Sequence, residues 1–245
     1  MTRRQVSGGR RGLVNLRRLV QVDRWIYPPV CLICGLAGRR GLDCCRTCER
    51  DLARVEAGCR RCGLELVRSV ELCGRCTTRL PAFDAAFPAF AYRGPVEGLI
   101  QRFKFGGDLA AGRVLAQLMA RRIEAEAWPR PQLLVPVPLH VRRRWRRGFN
   151  QSEMLCRDLS RQLQVLPWAP ALRRARSTRA QSDLPADRRR GNVRGAFAVH
   201  RLPPGARHIA LVDDVMTTGS TLDECARVLK RTGVERVDVW VVARA

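Results

Sequence analysis

IALVDDVMTTGST, residues Ile209 to Thr221, joins four apolar residues to two adjacent carboxylates and then to small hydroxyl residues around one glycine. Ile209 to Val212 has the unbroken apolar pattern of a parallel strand buried on both faces. Asp213 and Asp214 are expected where that strand ends, at the edge of an open α/β sheet where ligands bind. Thr217, Thr218, Gly219, Ser220 and Thr221 then form a turn ahead of an amphipathic segment with Leu222, Cys225 and Leu229 on one face. Such a turn offers backbone N–H groups, hydroxyls and a helix dipole to a phosphate. Two carboxylates beside it suit vicinal sugar hydroxyls, or a magnesium ion next to them. A phosphorylated ribose fits the pattern. A P-loop nucleotidase would need G-x-x-x-x-G-K-[ST] upstream, and the only two lysines, Lys104 and Lys230, stand in no such motif.

The stretch resembles the phosphoribosyl-diphosphate (PRPP) binding motif of the type I phosphoribosyltransferases. The resemblance implies that Asp213 and Asp214 hold the ribose 2- and 3-hydroxyls and would be the catalytic acids. It also implies that Val215, Thr217, Thr218, Gly219, Ser220 and Thr221 complete the PRPP site, the loop taking the 5-phosphate. An active transferase of this kind would displace pyrophosphate from C1, with magnesium bridging the ribose hydroxyls and the diphosphate.

At 245 residues the chain can hold one ample core and a smaller module. Its formal charge of +24 is concentrated: Arg142 to Arg194 carries 15 arginines against 4 acids, a net of +11. Arginine blocks attract polyanions, so single-stranded DNA or another nucleic acid is an expected partner, with Arg142, Arg143, Arg144 and Arg146 as contact candidates. The first 30 residues contain seven arginines and no apolar core of a secretory signal. No stretch approaches the ~18 apolar residues of a membrane span. A cytoplasmic protein is expected. Residues 1–27 read as a basic arm followed by a short helix.

Nine of eleven cysteines lie between Cys31 and Cys76. Cys31-x-x-Cys34 is followed after ten residues by Cys45-x-x-Cys48, and Cys59-x-x-Cys62 after ten by Cys73-x-x-Cys76. Two such units predict a duplicated knuckle with two structural zinc sites of four thiolates each, spanning 28–80. Filled four-thiolate sites leave no open coordination position and are not catalytic. Cys44 is left over and competes with Cys45 as the ligand. Cys156 and Cys225 fall on apolar helix faces and read as core.

From residue 83 to 245 strands and helices alternate. Strands are expected at Phe87 to Tyr92, Leu133 to Val137 and Val237 to Val242. Helices are expected at Pro95 to Phe103, Leu109 to Ala125 and Asn150 to Leu163. The fold predicted is a doubly wound, mostly parallel sheet with helices on both faces, type I phosphoribosyltransferase-like, carrying the small double zinc ribbon at its N-terminal side.

Six separated motifs fall in one order: YPP-CLIC, the paired CxxC units, FAYRGPVEGLIQRFKFGGD, VPVPLH…RRGFNQ, T-x-x-Q-x-x-L-x-x-x-x-R-x-x-N-V-R-G-A-F, and VDDVMTTGST. Together they resemble the ComF/GntX family, whose ComFC-type proteins are tied to DNA uptake in natural transformation. The resemblance implies a role in DNA handling, with competence-machinery proteins as partners, or transfer of a phosphoribosyl group to an acceptor the sequence does not name. It places the pyrophosphate site at Pro138, Leu139, His140 and Arg147. A mobile loop would lie over Arg173 to Phe197, with Thr178, Gln181, Leu184, Arg189, Asn192 and Phe197 matching its pattern. Phe105 stands where the family more often has Tyr, so no polar role is assigned there. The acceptor-recognising hood is expected on the N-terminal side, within Tyr27 to Asp108.

Overall fold

A computed structural model describes residues 28–139, 145, 148–164, 167–175 and 193–245. The expected basic arm (1–27), His140, the arginines at 142–144, 146 and 147, and the loop positions 178, 181, 184, 189 and 192 lie outside the described residues.

Among the described residues a parallel sheet of four strands has the order β1-β6-β5-β2. These are β1 (Ala85–Ala91), β2 (Leu133–Pro136), β5 (His208–Met216) and β6 (Arg236–Arg244). A short antiparallel pair, β3 (Leu172–Arg174) and β4 (Phe197–Val199), closes the ends of the long polar segment between them. Every residue of β6 after Arg236 is buried. This two-sided burial explains why the central strands read as continuous apolar runs rather than alternating ones.

Two short helices, α1 (Arg46–Arg50) and α2 (Gly74–Thr78), lie in the cysteine ribbons, and three pack on one face of the sheet: α3 (Pro95–Phe105), α4 (Leu109–Ala125) and α5 (Gln151–Gln162). Helix α4 has the expected bounds, because Asp108 caps it by accepting from the Ala111 amide and Leu115, Leu118 and Met119 face inward. Asn150 caps α5 in the same way through Ser152 N, and Leu155, Leu159 and Leu163 are fully buried. Helix α6 (Ser220–Lys230) covers the opposite face with Leu222, Cys225, Ala226 and Leu229. Alternate residues of β5 divide between the two cores, Ala210 and Val212 on one side and Ile209 and Leu211 on the other.

The cysteine ribbons cover an edge of the sheet. Strand β1 is an edge strand, and two of its amides that do not face β6 find partners in the ribbons: Ala86 N donates to Arg60 O (3.3 Å) and Ala91 N to Ala53 O (2.8 Å). Pro88, between them, has no N–H to satisfy. Ribbon one packs into the α3–α4 core through Leu42, Cys44 and Leu52.

One expectation is corrected. The apolar run predicts a strand ending at Val212, but β5 runs to Met216, so Asp213 and Asp214 lie within it. Pairing overrides composition here: Val215 pairs with Ala243 and Met216 with Arg244 on β6, which is itself longer than expected.

Candidate functional site

Each set of four cysteines converges. The Sγ atoms of Cys31, Cys34, Cys45 and Cys48 lie within 4.8 Å of one another, as do those of Cys59, Cys62, Cys73 and Cys76. Individual separations are 3.8 Å for Cys34–Cys45, 3.7 Å for Cys62–Cys73 and 3.9 Å for Cys59–Cys76. A tetrahedral ion with 2.3 Å bonds to sulfur needs about 3.75 Å between ligands, so both sets could hold zinc. Backbone N–H groups already point at sulfur, Cys48 N to Cys45 Sγ (3.3 Å) and Cys73 N to Cys59 Sγ (3.2 Å). The competition at positions 44 and 45 resolves in favour of Cys45. Cys44 is fully buried in the α/β core, where burial and the neighbouring Cys31 push its thiol up to about 12.

The second site lies at the C-terminal edge of the sheet. A cleft of about 420 Å³ is lined by Asp213, Asp214 and Val215, by the whole loop Thr217 to Thr221, and by Pro138 and Leu139 after β2. Asp213 Oδ1 accepts from Ser152 Oγ on α5 at 2.9 Å and from the Asp214 amide at 2.9 Å. Asp214, buried, meets Lys104 Nζ from the end of α3 at 2.9 Å. Burial and the adjacent Asp214 carboxylate push Asp213 up to about 7, against the pull of Lys104. Two carboxylates this close do not both ionise freely near neutrality.

The loop has the form of an anion cradle. Gly219 caps α6 in the left-handed region (φ 75°), a conformation an L side chain adopts only with strain. Thr218 Oγ1 meets Ser220 Oγ at 2.9 Å and accepts from Ser220 N at 3.4 Å. Helix α6, eleven residues long, points its N-terminus into this loop.

The structure thus brings together the acid pair, the loop and two of the expected pyrophosphate positions. It also supplies residues that sequence motifs missed. Lys104, Tyr92, Ser152 and Arg174 all line the cleft from separate elements. One signal for Lys104 was present, since lysine is scarce in a chain that otherwise uses arginine. Tyr92 and Lys104 fall within the expected hood segment. Among the described residues no ribbon residue lines this cleft; ribbon two abuts the Thr217–Thr221 loop from its other side, with Arg75 Nη2 donating to Thr218 O at 3.4 Å.

A family model described as a double zinc ribbon domain matches residues 22–77. The chain is 39% identical over 171 residues to Competence protein F of Haemophilus influenzae, covering 67% of this chain and 75% of that relative. The chain belongs to the ComF family. The same family relationship extends to DNA utilization protein YhgH of Escherichia coli K12, 40% identical over 157 residues, 62% of this chain and 69% of YhgH. Competence protein ComFC of Streptococcus pneumoniae is 28% identical over 155 residues, 63% and 66% of the two chains. As ComF relatives are named for competence and DNA utilization, the family points to a role in DNA uptake. No helix among the described residues is long and apolar enough to cross a membrane.

Proposed function

We propose that this ComF protein binds PRPP or a closely related phosphorylated ribose, with magnesium, in the cleft at the end of β5, and uses that site in handling DNA. The observation that carries the reading is the convergence of Asp213 and Asp214 with the Thr217–Thr221 loop on one cleft. The acid pair matches the two ribose hydroxyls, and the loop, hydroxyl-rich and at a helix N-terminus, matches the 5-phosphate. When bound, magnesium would neutralise the diphosphate beside the carboxylates. Ser152 holds Asp213 in orientation, and Lys104 balances the charge of Asp214. Zinc at both four-cysteine sites holds the ribbons folded.

A second reading, transfer of the phosphoribosyl group with release of pyrophosphate, is supported by Pro138 and Leu139 lining the same cleft. In that reading catalysis would come from positioning and from stabilising charge on the departing diphosphate. Nucleic-acid contact is assigned to the arginines at Arg142, Arg143, Arg144 and Arg146, with the net charge of +24 as its warrant.

Titration calorimetry of zinc-loaded protein with PRPP and magnesium tests the reading. Saturable binding that is lost in the Asp213→Ala/Asp214→Ala variant supports it. Absence of binding to well-folded wild-type protein defeats it. DNA contact is checked separately by fluorescence anisotropy with labelled single-stranded DNA across a salt series. Replacing the four arginines by Gln should weaken binding and flatten the salt slope.

A further inference from the structure

Arg244, the last residue of β6, joins the second ribbon to the phosphate loop. It is buried, 6% exposed, and its guanidinium faces two carbonyls from distant parts of the chain. Nη1 donates to Met216 O at 2.9 Å, the residue from which the loop departs, and Nε points to Cys62 O at 3.4 Å. Cys62 belongs to the second four-cysteine set.

Three further contacts fix the same junction. Arg75, between Cys73 and Cys76, reaches Thr218 O inside the loop. Ala82 N donates to Asp223 Oδ1 at 2.7 Å, tying the exit of the ribbon to the first turn of α6. Gly63 lies so close to β1 that a Cβ there would come within 2.9 Å of the Pro88 ring. A small cavity of about 40 Å³ marks the seam, lined on one side by Cys62 and Cys76 and on the other by Met216, Thr218 and Gly219. Ribbon one makes no comparable contact with the loop among the described residues. It docks instead on α3 and α4, through Arg102 to Leu32 O (2.7 Å) and Gln117 to Gly41 O (2.8 Å).

The two sites therefore differ in what they can influence. Closing four thiolates on an ion fixes the backbone of Cys62 and the helix that carries Arg75. The Cys62 carbonyl then holds the Arg244 guanidinium against Met216 O at the start of the loop, and Arg75 reaches Thr218 O in its middle. Loosening either partner would deprive the loop of a contact that holds its preorganised form. We propose that the second four-cysteine site regulates the phosphate loop, with Arg244 and Arg75 as the positioning residues that carry the coupling, while the first site serves the core alone. The inference rests on reading the cleft as a phosphoribosyl site, but the coupling itself is a property of the ligand-free protein.

The test therefore reads two quantities. One is amide hydrogen exchange of residues 216–220 in ligand-free protein; the other is affinity for PRPP with magnesium by calorimetry, with zinc content measured alongside. Arg244→Gln and Arg75→Ala keep all eight cysteines, and Gln117→Ala loosens ribbon one as a control. Coupling free energies between sites usually correspond to 5–150-fold, so Arg244→Gln is expected to raise loop exchange and lower affinity by about tenfold at full zinc content. Arg75→Ala, whose contact is longer and exposed, should do the same to a smaller degree, and Gln117→Ala should do neither. Loop exchange unchanged in Arg244→Gln, or equally raised in Gln117→Ala, overturns the proposal. If wild-type protein fails to bind PRPP while the exchange difference stands, the coupling holds and only the identity of the ligand is wrong.

Discussion

Lys104 Nζ and Asp214 Oδ1 meet at 2.9 Å across the mouth of the cleft, joining the end of α3 to the C-terminal part of β5. Both side chains are mostly withdrawn from solvent, at 19% and 12% exposure, so the pair is neither a screened surface contact nor a fully dry one. Lys104→Met leaves Asp214 without its cation next to a second carboxylate. We expect a loss of about 2 kcal/mol in unfolding free energy at pH 8, measured by urea titration. The loss should shrink at pH 5, where the acid pair carries a proton.

The acid pair also gives stability a pH dependence of defined sign. An Asp in the unfolded chain titrates near 3.9, whereas burial and Asp214 push Asp213 to about 7 in the folded state. Between these values the native state binds more protons than the unfolded state, so this group's contribution falls as pH rises from about 4 to about 7. Asp213→Asn removes the titration. Its stability should therefore gain on wild type by about 2–3 kcal/mol between pH 5 and pH 8, read from denaturant midpoints at each pH.

Ligand binding should release a proton. If the cleft takes a magnesium-bound ribose as proposed, that ligand would draw on both carboxylates in their charged form, while free protein near pH 7 holds part of a proton on Asp213. Calorimetric enthalpies for PRPP with magnesium should then vary with the ionisation enthalpy of the buffer at pH 7 and become buffer-independent near pH 8.5. Equal enthalpies in all buffers at pH 7 would count against the assigned role of Asp213.

Each four-cysteine set is expected to take one zinc ion. Wild-type protein should carry two zinc ions per chain by plasma mass spectrometry, and Cys45→Ser one. Cys44→Ala should retain both, because its thiol is buried in the α/β core and stands outside the set of four. It should cost only about 1 kcal/mol of packing.

Gly112 tests the α3–α4 crossing. A Cβ at this position would lie 2.4 Å from the Phe103 ring, itself fully buried. Gly112→Ala should therefore destabilise the protein by about 1–3 kcal/mol, although alanine is the better helix former, and thermal unfolding measures the balance.

Much of this arrangement was legible in the sequence where signals are local. The cap at Asp108, the Leu155–Leu159–Leu163 row and the cysteine spacing each depend on residues a few positions apart, and the helices and knuckles formed where those signals lay. The acid pair and loop were also readable as a motif. The extension of β5 through Asp213 to Met216 was not, because it depends on pairing with β6, which composition does not reveal. Lys104, Tyr92 and Ser152 reach the cleft from α3, the turn after β1 and α5 only after the sheet has assembled. Arg244 was equally silent as sequence, since its meaning lies in two carbonyls, one of them 182 residues away.

The order of strands has a consequence for how the chain reaches this structure. Ala85 pairs with Asp238, so β1 waits for a partner about 150 residues further along, a long loop to close by any measure of contact order. During synthesis the cysteine knuckles can close around their ions long before β6 exists. An unaccompanied AAFPAFA segment would invite mispairing with other chains. The carbonyls of Ala53 and Arg60, which accept from β1 amides, and the proline at position 88 blunt its outer edge in advance. The ribbons can thus act as a folding guard, shielding a half-built sheet until its central strand arrives.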